Sequence, residues 1–327
     1  MPTGSSGSTS EGPAPAAPRT LLVGPGAIGG FVAARLTESG WPVWVLARQQ
    51  TLAALRAGPL RLVDDGAERE VYLAVMEGAP EPGSVDLALV CVKSFDTEDA
   101  GRVIAPALAP GAVVLSLQNG VENPRILSAT CPGAVVGGVA VYLGCQRIAP
   151  DHVVRRPSRD PATGRIRDLL AGAGPGPAGD ALVAVGTAIG VPTRVDEQPE
   201  VALWTKLVAN ASLNTVTALG RANVGRLFSD PEAVKLMLAL GREVVAVAHA
   251  LEVPVPGDAA EAYLADARRR LPRDGGSSTL FDLVSGNPLE SVSLVGAVVR
   301  EGERLRVPVP VSRACAALLG LLDPAHR

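Results

Sequence analysis

The feature that most constrains this chain is a short aliphatic run, Thr20-Leu21-Leu22-Val23, followed at once by Gly24-Pro25-Gly26-Ala27-Ile28-Gly29-Gly30. Beyond the turn, Ile28, Phe31, Val32 and Leu36 recur at helical spacing, and Gly40 supplies a stop. This is strand, glycine turn and helix, in the order that a dinucleotide-binding fold requires. In that arrangement Gly24 makes the tight turn, Gly26 lets the backbone approach a pyrophosphate, and Gly29 lets the helix lie close to the strand. Pro25, Ala27 and Ile28 complete the loop. The unpaired N–H groups of the helix start, and its partial positive charge, then face the phosphates.

A second buried strand at 42–47 ends at Arg48, with Gln49 and Gln50 after it and no carboxylate nearby. Folds that select NAD place an acidic residue here for the ribose 2′-OH; an arginine, with its charge and planar donor fork, suits a 2′-phosphate. The expected cofactor is therefore NADP(H). Residues 85–92 form a continuous apolar run, as at the centre of a parallel sheet, and end in Lys93-Ser94. The next run, 112–117, ends in Gln118-Asn119-Gly120. Doubly wound sheets bind ligands at the carboxyl ends of their strands, so Lys93 and Asn119 are expected beside the glycine turn; Asn-Gly is also a common plain turn. The remaining expectations for this half are a helix at 52–56 and strands at 60–63, 71–76 and 134–143. An antiparallel edge hairpin is expected from 153–156 and 164–166, then a loop over 172–179, a helix over 181–190 and a last strand over 191–195.

From residue 198 onward the pattern is helical, with no strand alternation. Helices are expected at 200–219, at 231–251 behind the cap Asp230 and first-position Pro231, and at 258–271, 278–285, 289–303 and 311–322. The fold class is thus α/β followed by all-α: a Rossmann-like NADP-binding domain over 20–196 and a helical substrate and catalytic domain over 197–327. Residues 1–19, dominated by Ser, Gly, Pro and Ala, read as a flexible tail. Aromatics are only 3% of the chain, so the core must be built from Ala, Val and Leu. A net charge of −3 gives no electrostatic case for nucleic acid or an anionic membrane surface. No stretch approaches about 20 uninterrupted apolar residues, and the start lacks the basic and apolar segments of a secretory signal. Cys91, Cys131, Cys145 and Cys315 are widely spaced and form no CxxC pair. They read as reduced thiols of a cytoplasmic protein without a metal site.

Lysine usage is informative. Only Lys93, Lys206 and Lys235 occur, and arginine supplies every other basic side chain. A retained lysine raises the question of a compact ammonium that can give up its proton, which arginine does not do. Lys235 lies in an ordinary amphipathic helix. Lys206, Asn210 and Asn214 are spaced i, i+4, i+8, a polar stripe on a helix whose other positions include Leu203, Leu207, Val208 and Leu213. Buried polar groups need partners or cost several kcal/mol each, on the order of 2–7; water, protein or a ligand must supply them. A lysine beside a keto group can protonate the oxygen as hydride reaches carbon, particularly if burial lowers its pKa.

The motifs taken in order resemble the ketopantoate reductase (2-dehydropantoate 2-reductase) family. They are Gly24-x-Gly26-Ala27-Ile28-Gly29, Arg48, Cys91-Val92-Lys93-Ser94, Gln118-Asn119-Gly120-Val121-Glu122-Asn123 and the segment from Leu203 through Lys206, Asn210 and Asn214 to Leu219. Ser277-Ser278-Thr279-Leu280-Phe281-Asp282 is similar to the family's Ser-Ser-Met-Leu-Gln-Asp, with Thr279 and Phe281 in place of Met and Gln, and Glu290 stands where the family keeps a glutamate. The resemblance covers about residues 20–320. It implies a pyrophosphate on the glycine turn, a 2′-phosphate on Arg48, and the ribose and nicotinamide end of NADPH on Lys93 and Asn119. It further implies Lys206 as proton donor, Asn119, Asn210, Asn214 and Ser278 as substrate ligands, and Glu290 on both substrate hydroxyl and cofactor. The implied reaction is NADPH-dependent reduction of 2-dehydropantoate to (R)-pantoate for pantothenate synthesis, by a monomer or homodimer, in a cleft between the domains. A further substrate asparagine found in some members would fall near Val224, with Asn223 beside it. The alternatives are a related NADP-dependent reductase of another 2-oxo acid, opine-type reductive amination included, or a non-catalytic NADP(H) sensor, which would not need Lys206 and Glu290. A lactate- or malate-type dehydrogenase needs a histidine with an acidic partner, and neither His152, His249 nor His326 has that setting.

Overall fold

The computed structural model describes residues 17–326; the expected flexible tail lies outside the described residues except for residues 17–19. Twelve strands are described: β1 Thr20–Val23, β2 Val43–Leu46, β3 Leu60–Asp64, β4 Ala67–Val71, β5 Ala74–Met76, β6 Val85–Val90, β7 Leu108–Ser116, β8 Val135–Tyr142, β9 Cys145–Ala149, β10 His152–Arg155, β11 Leu169–Gly172 and β12 Thr193–Val195. The main sheet has the order β12-β11-β8-β7-β6-β1-β2-β5. The strands from β5 to β8 are mutually parallel, whereas β11 runs antiparallel to β8. Strand order therefore reverses at β1, between β2 and β6, which is where a doubly wound sheet opens a crevice for a ligand.

The helices of this half are α1 Ala27–Glu38, α2 Gln49–Ala57, α3 Thr97–Ile104, α4 Asn123–Thr130 and α5 Pro177–Ile189. Helix α1 is buried on more than one side because a second sheet, β4-β3-β10-β9, covers it. Two glycines make this possible. A Cβ on Gly29 would stand 2.2 Å from the Gly24 carbonyl oxygen, and one on Gly30 would stand 2.8 Å from Val153. The second sheet is fastened by a buried arginine. Arg155 Nη1 donates to Asp64 at 2.6 Å, while its Nη2 and Nε donate to Asp168 at 2.8 and 3.0 Å. The same guanidinium lies 5.0 Å from the centre of the Phe31 ring.

That arginine accounts for one correction. The expected hairpin of 153–156 with 164–166 does not form. Strand β10 pairs instead with β9 and, in parallel, with β3, because Arg155 must reach Asp64 on β3. Between the expected partners only the isolated Arg159–Ile166 bridge remains. The expected strand at 71–76 divides into the end of β4 and β5, as the chain passes from the second sheet to the edge of the first. The expected loop at 172–179 begins with the last residue of β11, where Gly172 adopts φ +121° against the Gly138 carbonyl, and passes into α5 from Pro177.

The C-terminal half is helical: α6 Pro199–Ala209, a π-helical turn Asn210–Asn214, α7 Thr215–Gly220, α8 Val224–Ser229, α9 Pro231–Ala250, α10 Ala259–Arg270, α11 Ser278–Val284, α12 Val295–Leu305 and α13 Pro310–Leu322. The fold is thus an N-terminal Rossmann-like domain and a C-terminal helical domain. The Asp230 carboxylate caps α9 by accepting from the N–H groups of Glu232 and Ala233. Helix α8 was not expected, and α12 starts later than expected because 289–294 turns irregularly to bring Glu290 toward the first domain. Helix α6 joins the halves. Ala202 and Leu203 pack on Ala140 of β8 and Ala171 of β11, while Trp204, Leu207 and Val208 pack with Val244, Val245 and Val247 of α9. No helix among the described residues is long and apolar enough to cross a membrane.

Removing the cation from a buried ion group leaves its carboxylates unpaired, at about 3–5 kcal/mol. Arg155→Met should cost that much stability in urea unfolding; a loss below about 1 kcal/mol would mean that the triad does not fasten the second sheet.

Candidate active site

A cavity of about 630 Å³ lies between the glycine turn, the carboxyl ends of the central strands and the first helices of the second domain. Gly24, Pro25, Gly26, Ala27, Ile28, Arg48, Lys93, Asn119, Lys206, Asn210, Asn214, Ser278 and Glu290 all line it. Gly29 does not line the cavity; it lies behind, where the helix meets the turn. Asn223 instead caps α8, its Oδ1 accepting from the Arg226 N–H at 2.9 Å, and Val224 is buried in the helical core; neither lines the cavity.

The turn has the form of an anion cradle. Gly24 adopts φ +88°, which favours glycine. Gly26 is the N-cap of α1 and provides no side-chain cap, so the helix's first N–H groups lack a side-chain acceptor. The Cβ position of Gly26 has nothing within 4 Å, so any side chain there would project into open space that a ligand could use. These features fit the pyrophosphate of a dinucleotide.

Lys206 projects from the third face of α6, the other two being packed. Its Nζ donates to Asn119 Oδ1 at 2.8 Å and lies 5.7 Å from the centre of the Tyr142 ring. Burial pushes the ammonium down to about 8, against an opposing pull from Glu290. An amine at that value holds a proton near neutrality yet releases it readily, as a general acid must. Asn119 is braced in turn: its backbone carbonyl accepts from Ser94 Oγ at 3.0 Å and from Asn123 Nδ2 at 2.7 Å.

The polar stripe continues through the π-helical turn. Asn210 Nδ2 donates to Asn119 Oδ1, and Asn214 Nδ2 lies within reach of Asn210 Oδ1 and Ser278 Oγ, each at 3.5 Å. In a regular α-helix each four-residue step overshoots a full turn by about 40°. The wider π turn offsets that drift and keeps Asn214 toward the cavity with Lys206; such turns are frequent at functional sites. The expected single helix over 200–219 is therefore continuous but locally widened. These long 3.5 Å contacts leave most donors and acceptors of the stripe free for a bound molecule.

Glu290 is buried at 7% exposure and well partnered. Its Oε1 accepts from the Ser94 N–H at 3.0 Å and lies 2.8 Å from Ser94 Oγ, whose single proton it shares with the Asn119 carbonyl, and its Oε2 accepts from Lys93 Nζ at 3.2 Å. Lys93 also donates to Asp282 of α11 at 2.6 Å. Burial alone would lower the Lys93 pKa, but Glu290 and Asp282 outweigh it and hold the ammonium above its ordinary value. Ser94 and Asp282 are functional-site residues that the sequence does not point to: both lie in motifs named above, but their pairing with Glu290 and Lys93 crosses the cleft and leaves no trace in local spacing.

Comparison with known proteins agrees with this architecture. The family model "Ketopantoate reductase PanE/ApbA" matches residues 20–166, and the model of its C-terminal part matches residues 200–323. The 2-dehydropantoate 2-reductase of Halobacterium salinarum is 32% identical over 309 residues, covering 93% of this chain and 98% of the relative. The crystal structure of a PanE/ApbA family ketopantoate reductase from Ralstonia eutropha JMP134 superimposes with a TM-score of 0.82 at 33% identity, covering 94% of this chain and 99% of that one. A D-mandelate dehydrogenase solved with NADH shares the fold, with a TM-score of 0.81, at 18% identity over 94% of this chain and 99% of that one.

Proposed function

Because the chain belongs to the ketopantoate reductase PanE/ApbA family, we propose that it reduces 2-dehydropantoate to (R)-pantoate with NADPH, a step of pantothenate synthesis. The observation that carries this reading is the placement of the Lys206 amine, held by Asn119, in the cavity that the glycine turn also lines; burial there lowers its proton affinity. In this reading residues 20–196 hold the cofactor and residues 197–327 bring the proton donor and most substrate ligands. The glycine turn holds the pyrophosphate, Arg48 the 2′-phosphate, and Lys93, Asn119 and Glu290 the nicotinamide end. When bound, NADPH supplies a hydride to the ketone carbon. Lys206 gives its proton to the ketone oxygen, so no full negative charge builds on that oxygen in a site of low polarity. Asn119 accepts one Lys206 N–H and so aims the remaining donors at the substrate. Asn210, Asn214 and Ser278 offer amide and hydroxyl groups to the substrate's carboxylate and hydroxyl. Glu290, held by Ser94 and Lys93, is a fixed acceptor at the domain junction.

One observation favours a second reading, a different 2-oxo acid. Phe281, 44% exposed, lines the cavity where the family's segment carries glutamine, and an aromatic wall suits a more apolar substituent. NADPH oxidation with 2-dehydropantoate and a panel of 2-oxo acids decides between them. The first reading expects 2-dehydropantoate to have the highest kcat/KM; a tenfold better aromatic or branched 2-oxo acid would replace it with the second.

Lys206→Ala should lower kcat at least ~100-fold, the usual cost of losing a general acid, with NADPH affinity nearly unchanged. The proton-donating form exists below the lowered pKa, so kcat/KM for reduction should fall as pH rises through about 8. The reverse oxidation needs the neutral amine and should rise over the same range. An unchanged kcat in the variant would refute the role of Lys206. Arg48→Ala should weaken NADPH by about tenfold or more, the scale of a charge-assisted bond, and leave NADH nearly unaffected; equal weakening of both would show that Arg48 does not read the 2′-phosphate.

A further inference from the structure

At the Arg48 end of the cavity stands a second guanidinium, which the reading above does not use. Arg147 reaches out of β9, in the smaller sheet, and its Nη1 donates to Thr51 Oγ1 at 3.1 Å. Thr51 lies in the first turn of α2, the helix whose N-cap is Arg48. Arg48, Thr51, Gln146 and Arg147 all line the cavity. The first turn of α2 has neither a side-chain cap nor an acidic residue, so its N–H groups and partial positive charge are available to an anion. Among the described residues no carboxylate forms an ion pair with Arg48 or Arg147; Asp96, another cavity residue, is near enough to feel the charge of Arg48.

The charge balance at this corner calls for more than one cation. A phosphate monoester carries about −1.5 to −2 near neutrality, and Asp96 adds to the negative side. One guanidinium supplies only a single positive charge. Thr51 engages one of the five N–H donors of Arg147 and fixes the side chain, which leaves four for an anion.

We propose that Arg147 is a second anchor for the 2′-phosphate of NADP(H), and therefore a determinant of cofactor choice. The phosphate is held between Arg48 at the N-cap of α2 and Arg147 of the smaller sheet, over the uncapped start of α2. Thr51 is a positioning residue that acts through Arg147. This inference rests on the NADP(H) reading above and deepens it. It also gives the second sheet a part in binding, besides covering α1.

Titration calorimetry on the full chain, with adenosine 2′,5′-bisphosphate and AMP as probes, tests it without reference to turnover. The wild type should prefer the bisphosphate. Arg147→Gln should weaken the bisphosphate by about tenfold or more and leave AMP within about twofold. Arg147→Lys should keep part of the preference, since it retains the charge but not the fork. Thr51→Val should give a smaller loss, again confined to the bisphosphate. Arg147 is exposed, so melting temperatures of its variants should match the wild type. If Arg147→Gln keeps the wild-type preference while Arg48→Gln loses it, the second anchor is overturned and the NADP(H) reading stands. A wild type that binds both probes equally overturns both.

Discussion

The site depends on holding a positive charge where the surrounding protein does not favour one. Helix α6 is packed on the sheet through Ala202 and Leu203 and on α9 through Trp204, Leu207 and Val208. With both of those faces packed, Lys206 is left on the face that lines the cavity. Among the described residues its ammonium donates to Asn119 and lies near the ring of Tyr142. Desolvation is the dominant influence, and it moves the amine from an inert cation toward a usable acid. Packing in the core is thus translated into proton affinity in the cleft.

The second requirement is that the two domains agree on where the cleft is. Glu290 comes from the helical domain and is almost fully buried, which would be costly for an unpartnered carboxylate. It is satisfied entirely from the other domain, by the Ser94 backbone and hydroxyl and by Lys93. Lys93 is shared with Asp282, so two carboxylates of one domain meet one lysine of the other. The Ser94 hydroxyl shares its one proton between Glu290 and the Asn119 carbonyl, and the Asn119 side chain accepts from Lys206. Charge and hydrogen bonding therefore run from Asp282 through Lys93, Glu290 and Ser94 to Asn119 and Lys206, so that displacing one domain disturbs the surroundings of the Lys206 amine.

What could be read in advance had a local physical cause. The glycine turn, the apolar β6 strand and the Asp230-Pro231 helix start each follow from neighbouring residues, and the structure contains all three. The stripe of Lys206, Asn210 and Asn214 was visible because helical periodicity brings i, i+4 and i+8 together; the π turn that keeps it aligned was not, because nothing in Asn210-Ala-Ser-Leu-Asn214 encodes it locally. The pairing of β10 was missed for a similar reason. Its partner is chosen by Arg155 meeting Asp64 and Asp168, contacts between residues far apart in sequence. The Lys93–Asp282–Glu290 junction and the Arg147–Thr51 contact likewise exist only once two sheets or two domains have met.

With only three lysines in the chain, the Lys206 amine can be followed individually by NMR in protein labelled at the lysine side chains, with Lys206→Arg giving the assignment. Titration of that resonance in the folded protein reads the charge of the amine itself. A midpoint near 8 is the result expected of an ammonium desolvated in the cavity that the glycine turn also lines. A midpoint at the ordinary lysine value of about 10.4 would mean that the amine is solvated like any surface lysine, and the account of Lys206 as the acid would be contradicted.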